Sequence, residues 1–317
     1  MMYLLALGGF VLLFAGGEWL VRGAVSVSRR IGISPLLIGM TVVAFCTSAP
    51  ELLVSLEANL RGQVDMAVGN VVGSNIANVL LIIGVSAFIT PIVVKPAEVR
   101  RDTLVMFGSV ALLAGLGASG VIERWHGGVM VGALIGYIWY SYWTEMFRDA
   151  PAAELHLHEA EEFSGVTRRL WLSFAELGVG LAALVVGSRM LVTGAGDIAR
   201  TFGMPEAVIG LTLVALGTSL PELATSIVAA IRGHADVAVG NVLGSNLFNV
   251  LAIVAITALV SPLPVSEAIA SFDMWVMLGS SALLVPLLLV RGRVGRPAGG
   301  VFLVAYVVYI GVLYTGF

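Results

Sequence analysis

The chain has 317 residues, of which 58% are hydrophobic and 12% charged, with a formal net charge of −3. A soluble domain carries charge on about a quarter of its residues, so this composition excludes an ordinary soluble fold. The small net charge and the lack of a basic block give no reason to expect a nucleic-acid partner, and one cysteine, Cys46, excludes an intrachain disulfide.

Apolar runs recur along the chain, each long enough to cross a bilayer core of about 30 Å as a helix. Ten spanning segments are predicted: 2–28, 36–60, 66–90, 102–121, 127–147, 170–199, 206–231, 237–260, 271–290 and 298–316. The expected fold class is therefore an all-α polytopic membrane protein, since only helices satisfy their own backbone in lipid. Met1 to Leu20 has no basic start and reads as a first spanning helix rather than a removed signal peptide. Within it, Glu18 and Arg22 stand four apart on one face and read as a local ion pair near the inner interface. The equivalent places in the sixth segment hold Arg189 and Thr193, so these charges lie outside any repeated machinery.

The second segment carries Thr47-Ser48-Ala49-Pro50-Glu51, and the same pattern returns 171 positions later as Thr218-Ser219-Leu220-Pro221-Glu222. An ionisable group inside a spanning segment is costly and marks an ion or substrate path. Proline has no N–H and is expected to kink the helix, freeing the carbonyl of Cys46 and loosening those of Ala44 and Thr47. Pro221 should do the same to Gly217, Ala215 and Thr218. The segment after each motif supplies Gly69-Asn70-Val71-Val72-Gly73-Ser74-Asn75 and Gly240-Asn241-Val242-Leu243-Gly244-Ser245-Asn246. Ser74 and Asn78 are four apart on one face, as are Ser245 and Asn249. Two carboxylates ringed by hydroxyl, amide and carbonyl oxygen suit hard cations such as Ca²⁺ and Na⁺, not zinc or copper.

Between the fifth and sixth segments, Asp149 to Gly165 is polar and acidic, with Glu154, His156, His158, Glu159, Glu161 and Glu162. It reads as a solvated linker, with a metal or pH sensor as the alternative. The expected divisions are 1–147 for a first five-helix repeat, 148–169 for the cytosolic linker and 170–317 for a second repeat. With the N-terminus outside, the inner loops hold Arg29, Arg30, Lys95, Arg100, Arg101, Arg148, Arg168, Arg169, Arg232, Arg291, Arg293 and Arg296. The outer loops hold Arg61, Arg124 and Arg200. That asymmetry predicts both termini on the non-cytoplasmic side. Because each repeat crosses an odd number of times, the second enters the membrane the opposite way up, a common plan for secondary transporters.

The paired Thr-Ser-x-Pro-Glu and Gly-Asn-x-x-Gly-Ser-Asn patterns resemble the alpha repeats of the cation/calcium exchanger superfamily, and most closely its prokaryotic sodium/calcium exchangers. The resemblance covers both halves. It implies an antiporter of the prokaryotic inner membrane, with Ca²⁺ and Na⁺ as transported ions, no cofactor, no enzymatic reaction and no required protein partner. By position it implies Glu51 and Glu222 as bridging carboxylates. It implies Thr47, Ser48, Thr218 and Ser219, with the carbonyls of Ala44 and Ala215, as flanking ligands. Ser74 and Ser245 match the sodium-site serines, and Asn78 the central asparagine. Asn249 stands where potassium-dependent members carry aspartate, which argues against a potassium requirement. Cys46 replaces a glycine and reads as a small packing residue. The Gly-rich first and sixth helices (Gly16/Gly187, Gly23/Gly194) resemble the pair that slides across the bundle in the family. A calcium/proton exchanger using the same two glutamates, and a cation channel, remain the alternatives at this stage.

Overall fold

The computed structural model describes residues 1–148, 170–202 and 215–315. The 149–165 stretch and residues 206–214 of the seventh predicted segment lie outside these described residues.

The first helix, α1 (Met2–Ile31), ends where Gly32 turns left-handed at φ 77°, with Arg29 and Arg30 in its last turn facing the negative end of the helix dipole. Ser34 then caps α2 (Pro35–Thr47) by accepting from the Leu37 N–H. The α2 helix contains a π-helical turn at Gly39–Val43. It stops at Ser48 (φ −84°, ψ 3°), and α3 (Ala49–Leu60) leaves at a 44° bend. Thus the expected continuous segment kinked at Pro50 is in fact broken at Ser48. Pro50 falls in the first turn of α3, where its missing N–H has no helical partner to lose. Nor is the Ala44 carbonyl loosened: it accepts from the Ser48 N–H at 2.9 Å and the Thr47 hydroxyl at 3.3 Å.

The chain continues through α4 (Val64–Ile89), strand β1 (Ile92–Val93), α5 (Pro96–Ala118), β2 (Val121–Ile122) and α6 (Arg124–Arg148). The second half contains α7 (Leu170–Thr201), α8 (Ala215–Thr218), α9 (Leu220–Ile231) and α10 (Ala235–Val260). It closes with β3 (Leu263–Pro264), α11 (Ile269–Leu289), β4 (Arg293–Val294) and α12 (Arg296–Thr315). Helix α5 starts six residues before the expected 102, because Pro96 and Glu98 begin it well. Arg100 and Arg101 therefore belong to the helix rather than to a loop.

Among the described residues, α1, α4, α5, α7, α10, α11 and α12 are long and apolar enough to cross a bilayer, and the bent α2–α3 pair makes an eighth candidate. The Trp- and Tyr-rich α6 is long enough but less apolar, and α9 is short. The helices α4 and α10 form the centre, with 72% and 83% of their spanning windows buried against 33% for α1 and α7. The α1 and α7 helices run antiparallel through facing glycines: a Cβ on Gly180 would lie 2.5 Å from the Leu20 nitrogen and 2.8 Å from the Gly16 oxygen. In lipid, where burial of apolar surface does not drive helices together, such close backbone approach supplies the packing energy.

Several contacts between the halves come in exchanged pairs. Two short antiparallel ladders join a loop of each half: β1 with β4 (Ile92 opposite Val294) and β2 with β3 (Val121 opposite Pro264). Within the halves, Tyr137 donates to Asp102 at 2.7 Å and Tyr309 to Asp273 at 2.9 Å, each linking two consecutive long helices. Asp102 is also paired with Arg101 at 2.6 Å, and the matching place in the second half holds Phe272.

The glycine contact gives a direct test. Gly180→Val should force α1 and α7 apart and destabilise the fold by about 1–3 kcal/mol, the range for an overpacked contact. A fall in the thermal unfolding midpoint of the detergent-solubilised protein would register it, whereas Gly178→Val, where a Cβ meets open space, should leave the midpoint near wild type.

Candidate ion-binding site

The breaks at Ser48 and Ser219 have nearly the same backbone geometry (φ −84°, ψ 3° and φ −88°, ψ 3°), and each starts a new helix with a glutamate in its first turn. The first turn of a helix has unpaired N–H groups and a partial positive charge, so it is the part of an apolar segment best able to hold a carboxylate. Glu51 and Glu222 are both only 1% exposed.

Each carboxylate is met by the serine of the other half. The Ser48 hydroxyl donates to Glu222 Oε1 and the Ser219 hydroxyl to Glu51 Oε1, both at 3.2 Å. Thr47 and Thr218 lie near the same opposite carboxylates. The Thr47 hydroxyl also approaches Asn241 Oδ1 at 3.2 Å. Asparagines on the following helices brace the breaks. Asn70 donates to the Glu51 carbonyl at 3.2 Å and to Ser55 Oγ at 2.9 Å, and Asn241 to the Glu222 carbonyl at 3.4 Å and Ser226 Oγ at 3.0 Å. A second crossing pair closes the centre: Asn78 donates to Asn246 Oδ1 at 2.9 Å and Asn249 to Asn75 Oδ1 at 3.2 Å. Asn78 and Asn249 each open a π-helical turn, Asn78–Ile83 and Asn249–Val254. Such turns interrupt the regular ladder and are frequent at functional sites.

Of the residues expected at the site, Thr47, Ser48, Glu51, Thr218, Ser219 and Glu222 are thus brought together around the two breaks. Ala44 lies just before the first break, fully buried, and the Ala215 backbone begins α8. Asn78 and Asn249 meet the opposite half, while Ser74 and Ser245 are buried without a hydrogen bond to either carboxylate among the described residues. Asn70, Asn241, Asn75, Asn246, Ser55 and Ser226 were not singled out as site residues. The four asparagines stand inside the duplicated motif, and the two serines follow each glutamate by four positions, so the signal was the repeat itself.

Several oxygens remain open. Glu51 Oε2, Glu222 Oε2, Asn78 Oδ1, Asn249 Oδ1 and Ser245 Oγ are buried without a partner among the described residues. Buried polar atoms are nearly always satisfied, so a cluster of unpartnered acceptors implies a cation, protons or water between them. The donors are two carboxylates and neutral oxygens. No group of three or more His, Cys, Asp or Glu side chains forms a metal cluster among the described residues. The chemistry is that of a hard cation held by oxygen.

Fold and site together define a polytopic helical membrane protein with a buried, doubly acidic, oxygen-lined centre. The chain belongs to the sodium/calcium exchanger protein family, whose pattern it matches over residues 1–143 and 172–315. This is a family of transporters rather than enzymes, and it makes the chain a cation/Ca²⁺ exchanger. The chain is 37% identical to the "Putative antiporter CaxA" of Alkalimonas amylolytica over 97% of both chains. It is 34% identical to "Inner membrane protein YrbG" of Escherichia coli strain K12, over 96% of this chain and 94% of that one. It is 32% identical to "Sodium/calcium exchanger MaX1" of Methanosarcina acetivorans, over 98% of both. Solved structures of the sodium-calcium exchanger NCX_Mj superpose with TM-scores of 0.82, soaked with 2.5 mM Na⁺ and 0.1 mM Ca²⁺, and 0.84, soaked with neither ion. They are 32% and 31% identical, each over 98% of both chains.

The bracing asparagines can be weighed against each other. Asn241 is fully buried and Asn70 only half-buried, so Asn241→Ala should destabilise the protein by about 1–3 kcal/mol by orphaning its partners, and Asn70→Ala by less. Unfolding midpoints of the two variants in the same detergent would rank them.

Proposed function

We propose that this protein is a secondary antiporter exchanging Na⁺ for Ca²⁺ by alternating access. The observation that carries this is the reciprocal Ser48–Glu222 and Ser219–Glu51 bonding around unpartnered buried oxygens. In this reading Glu51 and Glu222 are shared by the ions. Thr47, Ser48, Thr218, Ser219, Ser74, Ser245, Asn78, Asn249 and the carbonyls of Ala44 and Ala215 supply neutral oxygens. The Ala44 carbonyl, although hydrogen-bonded, keeps a second lone pair for a cation.

The charge count explains why exchange would be obligatory. Two ionised carboxylates without a cation cost several kcal/mol or more in a low-dielectric interior. One divalent or several monovalent cations remove that cost, so a loaded centre passes between the two access states and an empty one resists doing so.

The architecture of this reading is ten spans in two inverted five-helix repeats, 1–147 and 170–317, joined by a cytosolic linker at 148–169. The exchanged contacts support it. The β1–β4 ladder ties the loop after the third span to the loop after the ninth, which ten alternating spans put on one face. The β2–β3 ladder ties the fourth and eighth loops, on the other face. The first of these faces carries Lys95, Arg291 and Arg293, and by the positive-inside bias it is cytoplasmic, with both termini outside and the protein in the inner membrane.

Sodium-gradient-driven calcium uptake into proteoliposomes at clamped pH tests the assignment. Wild type should accumulate calcium only with a sodium gradient, and Glu51→Gln or Glu222→Gln should abolish uptake. Full flux in either variant would sink the site, and uptake driven by a pH gradient alone would reassign the coupling ion to protons.

A further inference from the structure

Among the described residues, the one ion pair between the halves has no exchanged twin. The Glu18 carboxylate on α1 accepts from Arg22 Nε through Oε1 at 2.6 Å and from Arg232 Nε through Oε2 at 2.7 Å. Arg22 is one turn along the same helix, as its spacing foretold, but Arg232 follows α9 in the other half of the chain. The Glu18 side chain is 18% exposed, against 53% and 55% for the two arginines, so the carboxylate is the buried hub. Val21 and His234 complete the pocket around it. Beside the hub the two helices are in close contact: a Cβ on Gly17 would meet the Ala224 oxygen and Val228 Cγ2 at 3.3 Å.

The repeat makes the asymmetry visible. The position matching Glu18 is Arg189, and the position matching Arg232 is Arg61, which pairs instead with Glu57 in the last turn of α3. Opposite charges on one side of the membrane correspond to like charges on the other. The ion pair between halves can therefore form on one side only, the side that the loop charges make cytoplasmic.

We infer that Glu18–Arg232 is a one-sided clamp that biases the protein toward its cytoplasm-closed state. This rests on the alternating-access reading above. In a carrier built from two matching halves, the two access states exchange the roles of those halves, so paired contacts favour neither. A contact present once adds to one state alone and shifts the ratio of populations. Separating α1 from α9 on the cytoplasmic side breaks the clamp. Half-exposed arginines on a mostly buried carboxylate set the expected size, about a 2–5-fold change in that ratio.

The test uses the full chain in lipid, with Cys46→Ala to remove the native thiol and spin labels at Arg30→Cys, at the end of α1, and Val93→Cys, in β1. Both positions are exposed. Distances between the labels are recorded in calcium-free buffer. Glu18→Gln and Arg232→Gln should each raise the ratio of the longer-distance, cytoplasm-open population to the shorter-distance one by about 2–5-fold. The reversed pair Glu18→Arg with Arg232→Glu should restore the parent distribution. Parent-like distributions in both single variants would overturn the clamp. So would a reversed pair that fails to restore them, which would reduce Glu18 to a support for the local fold. Calcium uptake by the unlabelled parent in the same lipid tests the exchange reading separately, since the distance distributions report on the clamp whether or not uptake occurs.

Discussion

Two carboxylates buried in the middle of a membrane bundle are the constraint on which the rest of this structure depends. Glu51 and Glu222 are each 1% exposed, and neither has a basic partner among the described residues. The protein tolerates them by breaking two helices one turn earlier, so that each carboxylate sits at a helix start, and by aiming a serine from the opposite half at each. Their remaining oxygens, with those of Asn78, Asn249 and Ser245, are left for whatever enters the centre. In the exchange reading proposed above, a centre so arranged is favoured when loaded, and this links the helix breaks to the exchange of cations.

The surrounding helices divide the labour. The buried α4 and α10 hold the asparagines that brace the breaks and cross to each other through Asn78–Asn246 and Asn249–Asn75. The peripheral α1 and α7 carry few polar contacts to the centre and meet each other through glycine faces. At the membrane faces, two short ladders and the Glu18–Arg232 pair tie one half to the other. The polar contacts at the centre are duplicated, while the Glu18–Arg232 ion pair is single.

How legible was all this in the chain? The helical membrane class, most segment positions and the members of both motifs could be read directly, because apolar length and a repeat at constant offset are local properties of sequence. Pro50 was misread for a physical reason. A proline signals a break near itself, but whether it lies inside the old helix or in the first turn of the new one depends on where the chain turns, and Ser48 turned it. The start of α5 was placed late because Arg100 and Arg101 look like loop residues until Arg101 is seen to pair with the buried Asp102.

The sequence by itself determined what the centre is made of: two acids, hydroxyls and amides in duplicate, with no sulfur ligand and no basic partner within the motifs. Only the tertiary structure decided that each acid answers to the other half, that Asn70 and Asn241 fasten the helices that follow the breaks, and that Glu18 reaches past its helical neighbour to Arg232. The physical reason is distance along the chain. Composition and periodicity report on neighbours three or four residues away, whereas Ser48 and Glu222, or Glu18 and Arg232, become neighbours only when the two halves pack face to face.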